Sequence, residues 1–183
     1  MAPSGQMNTP ALQALLQDAA LTGNWTLDAS RSTVSLRSKS MWGLAPVKGV
    51  FRKVGGQGTV SPAGDVSGTV TVSAASIDTK NKKRDKHLRS PDFFDSDSYP
   101  DIIFTVNGAR PSGQGVTVSG SLTVRDRTRP VSFDAQVSMV SAGEIALDAE
   151  VQVDRSDFGL TWNQMGMASM HNTIAVHAVF TRR

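Results

Sequence analysis

From Trp25 onward, apolar residues recur at every second position in short runs separated by glycine, asparagine, aspartate and proline. The alternation is clearest late in the chain, as in Val116, Val118, Leu122 and Val124, or Ile145, Leu147, Ala149, Val151 and Val153. Successive side chains of a strand point to opposite faces, so each run predicts a strand with one buried face. This pattern restricts the chain to an all-β fold.

Eight runs of this kind can be identified, at residues 25–38, 46–59, 66–73, 102–109, 115–124, 131–140, 145–153 and 173–181. Short turns between most of them favour antiparallel neighbours in an up-and-down order. Eight strands is the size of a small closed barrel that holds one ligand. We therefore predict an eight-stranded antiparallel barrel, with either a bend or a plain loop at the glycine-rich residues 55–58.

Two segments lie outside the predicted strands. Leu12, Leu15, Leu16 and Ala19 have helical spacing, which predicts a short N-terminal helix over residues 9–20. We assign residues 1–23 to a partly helical extension and residues 24–183 to the barrel domain. The connection over residues 74–101 is long for a barrel loop, and a short helix is expected at residues 82–90.

Composition excludes several kinds of protein. A chain of 183 residues is the size of one domain, and the absence of cysteine rules out disulfides and thiolate chemistry. A net charge of +3 is too small to make nucleic acid the expected partner. Residues 1–24 contain no Lys or Arg, unlike a secretory signal, so we expect a cytoplasmic protein without a membrane span.

The long connection contains a distinctive motif. It reads Arg84-Asp85-Lys86-His87-Leu88-Arg89-Ser90-Pro91-Asp92-Phe93-Phe94-Asp95, and Tyr99-Pro100-Asp101-Ile102-Ile103-Phe104 follows. In these residues the chain resembles the YceI-like family. The resemblance extends to Trp25-Thr26-Leu27-Asp28, to Thr128-Arg129-Pro130-Val131 and to Arg155 with Phe158-Gly159, and therefore covers the chain from Trp25 to the C-terminus.

This resemblance implies a fold and a ligand class. Similar proteins form lipocalin-like barrels that enclose polyisoprenoids, including isoprenoid quinones, or other long amphiphilic lipids. The implied role is therefore transport, storage or sequestration of such a lipid, with no other cofactor. Homodimerisation is also implied. Many similar proteins are exported, whereas this chain shows no export signal and carries an N-terminal extension.

The barrel interior supplies the candidate ligand-binding residues. A long apolar chain needs a dry tunnel, because burial contributes about 25 cal/mol per Å². The candidates are Trp42, Leu44, Phe51, Phe93, Phe94, Ile103, Leu122, Phe133, Phe158, Met165 and Met167. The alternative for each of them is a place in the ordinary barrel core, where apolar strand residues are usually found. Met165 and Met167 lie in a stretch, residues 162–171, that we interpret as a flap over one end.

Charged residues of the motif have two interpretations. Arg84, Asp85 and His87 are expected either to hold the long connection in place or to contact a polar lipid headgroup. A basic cluster, consisting of Lys80, Lys82, Lys83, Arg84, Lys86 and Arg89, is either a solvated helix face or a surface that transiently contacts an anionic membrane.

Two other classes of function remain open at the sequence level. An enzyme acting on an isoprenoid-type lipid could use His87 with Asp85 or Asp92 as acid and base. An interaction scaffold would have a completely filled core. No nucleophile motif or metal-ligand spacing is recognised, including at His171 and His177, so no catalytic residue or metal ligand is nominated.

Overall fold

The computed structural model describes residue 14, residues 19–113 and residues 115–183. In this part of the chain there are eleven strand segments and one α-helix. They are β1 (Gly23–Leu27), β2 (Thr33–Ser40), β3 (Ala45–Phe51), β4 (Val54–Val60), β5 (Val66–Ser73), β6 (Ile77–Asp78), α1 (Lys82–Arg89), β7 (Asp101–Ser112), β8 (Gly115–Val124), β9 (Arg127–Ser141), β10 (Glu144–Asp154) and β11 (His171–Arg182). The helix predicted over residues 9–20 lies almost wholly outside the described residues.

Within the described residues, these eleven segments occupy the eight strand positions of one antiparallel barrel. Three positions are each divided into two segments, namely β1 with β2, β3 with β4, and β5 with β6. The barrel closes because β1 pairs with β4 on one side and with the C-terminal strand β11 on the other. The predicted fold class is therefore confirmed.

The break between β3 and β4 falls at Arg52 and Lys53, just before the glycine-rich stretch. The bend and the plain loop considered for residues 55–58 are therefore both wrong, because these residues belong to β4. Their role is close approach to β5. A Cβ atom on Gly56 would lie 2.9 Å from the Thr69 carbonyl oxygen, and one on Gly68 would lie 2.6 Å from that of Gln57.

The short helix α1 covers a gap in the barrel wall. β6 pairs with β3, and among the described residues no ladder joins β6 to β7. The Asn81 side chain caps α1 by accepting a hydrogen bond from the Arg84 amide at 3.0 Å. Beyond the helix, Phe94 is buried and packs edge-on against Phe51, with the ring centroids 5.9 Å apart. No helix in the described residues has the length and apolar character required to span a membrane.

The barrel is plugged at the end opposite α1. Leu21 and Trp25 are both buried, and the Trp25 Nε1–H donates a hydrogen bond to the Leu21 carbonyl oxygen at 2.9 Å. The Arg182 guanidinium lies over the Trp25 ring, 5.0 Å from its centroid. Leu21 precedes β1 and belongs to the N-terminal extension defined from the sequence, yet it packs inside the core.

We expect Leu21→Ala to lower the free energy of unfolding by about 2 to 4 kcal/mol, because it leaves a cavity in this plug. Leu44→Ala is a matched control, since Leu44 is 83% exposed and should change stability by less than about 0.5 kcal/mol. Urea denaturation of both variants measures the difference. If Leu21→Ala and Leu44→Ala had the same free energy of unfolding, the plug would contribute nothing to the stability of the fold.

Candidate ligand-binding cavity

The barrel encloses a cavity of about 390 Å³ at the end that carries α1. Strand alternation forms its wall, since every second residue points inward. In β8, for example, Val118, Leu122 and Val124 line the cavity, and in β2 Val34 and Leu36 do so. A space of this size and apolar character is suitable for a small ligand or for the tail of an amphiphile.

Six of the eleven candidate residues line this cavity. They are Phe51, Phe93, Phe94, Leu122, Phe133 and Phe158. Phe51, Leu122 and Phe133 point inward from strands, whereas Phe93 and Phe94 come from the turn after α1 and Phe158 from the turn after β10. The long connection and the segment after β10 thus converge on one space.

The other five candidates are not in the wall. Ile103 lies between Ile102 and Phe104, both of which line the cavity, so strand alternation directs Ile103 to the opposite face. Trp42, Leu44 and Met165 are 65%, 83% and 77% exposed, because they stand on turns at the barrel rim. Met167 is half-buried in the same rim segment but does not reach the cavity wall.

Several wall residues were missed in the sequence. Val34 and Leu36 were detectable from strand alternation in β2. Leu88 and Trp162 line the cavity from α1 and from the segment before β11, where no strand period indicates an inward direction. Arg155 carried a sequence signal only through the family resemblance.

The polar part of the wall is positively charged. Lys39, Arg84 and Arg155 line the cavity together with His87, and no Asp or Glu is found among the described lining residues. Lys39 lies at the exposed end of β2, and Arg84 and His87 belong to α1. The cavity therefore combines an apolar interior with a cationic mouth.

Arg155 organises the segment that borders this mouth. Its Nη1 donates to the carbonyl oxygens of Leu160 and Trp162, both at 2.7 Å, and its Nε donates to that of Ser169 at 3.0 Å. The guanidinium lies 5.5 Å from the centroid of the Phe93 ring. Burial lowers the pKa of Arg155, but an arginine retains its charge at neutral pH. A buried positive charge therefore stands at the cavity wall with carbonyl groups as partners.

Asp85 and Arg84 hold the start of α1 through one threonine. The buried Asp85 carboxylate accepts hydrogen bonds from the Thr79 amide at 2.9 Å and from its hydroxyl at 2.5 Å. Arg84 Nε donates to the same hydroxyl oxygen at 2.9 Å. Both residues thus structure the long connection, and Arg84 in addition lines the cavity.

His87 faces the cavity between two aromatic rings. Its ring is edge-on to Trp162 and Phe93, with centroid distances of 4.3 and 5.1 Å. Its Nε2 lies 2.9 Å from Asp92 Oδ2, so of the two acids considered as its partner, Asp92 is the one that pairs with it. His177 pairs with Asp148 on an exposed face, at 2.6 Å, and does not line the cavity.

An eight-stranded barrel with an enclosed apolar cavity defines a lipocalin-like binding protein. Residues 25–181 match the model of the YceI-like domain, so the chain belongs to the YceI-like family. It is 29% identical to the UPF0312 protein SAS2572 of Staphylococcus aureus, over 77% of this chain and 84% of that one. The UPF0312 protein plu2095 of Photorhabdus laumondii is 32% identical over 68% and 67% of the two chains.

Solved structures agree with this assignment. The chain resembles BcnA of Burkholderia cenocepacia with a TM-score of 0.76 and 26% identity, over 84% of this chain and 98% of that one. A polyisoprenoid-binding domain from Saccharophagus degradans gives a TM-score of 0.70 at 17% identity, over 87% of this chain and 98% of that one. The two proteins therefore share the barrel fold. A YceI protein from Campylobacter jejuni gives a TM-score of 0.66 at 25% identity, over 75% of this chain and 85% of that one.

Proposed function

We propose that this protein binds one long-chain lipid, a polyisoprenoid or an isoprenoid quinone, and acts as a carrier, store or sequestering protein rather than an enzyme. The observation that carries the proposal is the cavity, whose interior is apolar and whose mouth is cationic. Membership of the YceI-like family supports it. The description of the Saccharophagus degradans domain as polyisoprenoid-binding supports the ligand class.

The two parts of the cavity suit the two parts of an amphiphile. The tail is stabilised by leaving water, at about 25 cal/mol per Å² of apolar surface. The head remains at the mouth, where Lys39, Arg84 and Arg155 favour electron-rich oxygen atoms such as those of a phosphate or a quinone carbonyl. The lipid therefore lies with its head near α1 and its tail deep in the barrel.

Mass spectrometry of an organic extract of the purified protein tests this proposal. We expect one unmodified isoprenoid-type lipid in a stoichiometric amount. Absence of any lipid, together with failure to bind added isoprenoids, would favour the scaffold with a filled core. Conversion of an added lipid into a product would favour the enzyme, and His87→Ala would then abolish turnover because His87 pairs with Asp92 at the cavity.

The cationic mouth predicts a preference between two ligands with the same tail. We expect farnesyl phosphate to bind more tightly than farnesol, and Lys39→Gln to reduce that preference by about two- to fivefold, since an exposed charge pair contributes about 0 to 1 kcal/mol. Lys53→Gln is the control, because Lys53 is exposed and lies outside the wall. Titration calorimetry measures the affinities, and equal binding of both ligands would contradict the headgroup assignment.

The proposal includes loading from a membrane. Lys82, Lys83 and Lys86 are exposed on α1, beside the mouth, where they can attract an anionic bilayer.

We also propose that the protein forms a homodimer, as the family resemblance implies. Sedimentation velocity of the full chain at several concentrations measures the oligomeric state.

A further inference from the structure

Large apolar side chains are exposed at one side of the cavity mouth. Met41, Trp42 and Leu44 stand on the turn that joins β2 to β3, and Met165 stands on the neighbouring segment. We call residues 41–44 together with Met165 the mouth tip. Of the six exposed large apolar residues in the described chain, four belong to this tip, and a fifth, Trp162, lines the same cavity. Exposed apolar residues concentrated in one place indicate an interaction surface.

The mouth tip is held in an outward conformation. The Trp42 amide donates a hydrogen bond to the Met167 carbonyl oxygen at 3.1 Å, and the Ser169 amide donates to that of Lys39 at 2.9 Å. Met41 and Trp42 have left-handed φ angles of 50° and 55°. For side chains with a Cβ this conformation is unfavourable. Strain of this kind at a solvated turn points to a functional role.

The tip borders the cavity directly. Lys39 and Ser40, immediately before it, line the cavity, and so do Ala168 and Ser169 on the neighbouring segment. A surface that covers the tip would therefore also meet the opening through which a lipid enters.

The charges around the tip identify the partner. No Asp or Glu occurs at residues 29–64 or 158–183, which include the tip and both of its neighbouring segments. Lys39 and Lys48 are exposed on the two strands that lead to the tip. Exposed Trp, Leu and Met beside Lys are typical of segments that lie at a membrane interface and favour anionic lipids.

We propose that the mouth tip inserts into the surface of an anionic bilayer and thereby brings the cavity mouth against the lipid. This inference rests in part on the proposed function, because a bilayer is where a water-insoluble ligand is found. Exposed lysines on α1 steer the protein towards the membrane, and the tip anchors it. The contact is reversible, since only a few side chains are buried.

The test is flotation of the full chain with vesicles of phosphatidylcholine containing phosphatidylglycerol and no isoprenoid. We expect the wild type to float with these vesicles. The double variant Trp42→Ser with Leu44→Ser should partition at least about tenfold less, because two apolar side chains no longer leave water. Val140→Ser is the control, since Val140 is 36% exposed and lies outside the tip.

Tryptophan fluorescence provides a second measurement. Trp25 is buried, Trp162 is 36% exposed and Trp42 is 65% exposed, so Trp42 has the most contact with water to lose. Insertion of the tip should therefore shift the emission of Trp42 to shorter wavelength. Trp42→Leu should still float but lose most of that shift. If the double variant floats like the wild type, the inference is wrong.

If the mouth tip instead joined two copies of the chain, the sedimentation and flotation results would differ. Sedimentation would then show a dimer that the double variant dissociates, with no vesicle flotation of the wild type, and the membrane inference would be overturned. The proposed function is tested separately by the organic extract. A protein that floats but neither yields an isoprenoid on extraction nor binds an added one would refute the ligand proposal and leave the membrane contact intact.

Discussion

Replacing Leu122 with arginine is expected to abolish lipid binding and to lower the free energy of unfolding by about 3 to 5 kcal/mol, as an uncompensated buried charge does. Leu122 is 8% exposed and its side chain lines the cavity from β8. The three cationic groups that line the same cavity would add repulsion. Thermal unfolding and lipid extraction measure the two effects.

The neighbouring position provides the control for this charge. Burial alternates along β8, and Ser121 lies on the opposite face from Leu122. Ser121→Arg should therefore retain both stability and lipid content. Should Leu122→Arg behave like Ser121→Arg, the strand would have to face the other way and the cavity described above could not exist.

Replacing Gly120 with alanine is also expected to destabilise the barrel strongly, although it adds only a methyl group. A Cβ atom at Gly120 would lie 2.1 Å from the Thr105 carbonyl oxygen and 2.7 Å from the Phe104 ring. The phenyl ring could move, but the carbonyl belongs to the paired strand β7. The two strands would have to separate, and overpacking of this kind costs about 1 to 3 kcal/mol or more.

Gly108 is a matched control on the adjacent strand. No heavy atom lies within 4 Å of a Cβ atom built there, and its φ angle is not left-handed. Gly108→Ala should therefore leave stability unchanged or raise it by up to about 1 kcal/mol, because alanine has less freedom than glycine in the unfolded chain. Equal melting temperatures for the two variants would contradict the close approach at Gly120.

The strands were predictable from the sequence because a buried face must recur with period two. The same rule fails where apolar residues are consecutive. Ile102, Ile103 and Phe104 give no indication of which two point inward, and pairing with β8 decides it. The rim is a harder case. Trp42 and Leu44 look like core residues by composition, yet a turn with left-handed residues holds them in solvent.

The charged residues of the site were likewise predictable from the sequence only in part. The motif around α1 predicted that Arg84, Asp85 and His87 belong together, but not that Asp85 binds Thr79 without itself lining the cavity. Arg155 lies far from that motif in sequence and approaches it only because β10 ends at the same rim. Contacts between distant segments of this kind follow from the closed barrel and have no local sequence pattern.

Barrel closure also has a consequence for synthesis. The closing ladder joins the first strand to the last, with Trp25 opposite Arg182. Contacts so distant in sequence form slowly and only once both partners exist. Until the final strand has left the ribosome, the wall has an open side and its inward phenylalanines are exposed to water and to chaperones. The binding space therefore does not exist in a nascent chain, and any lipid it holds must be acquired by the finished protein.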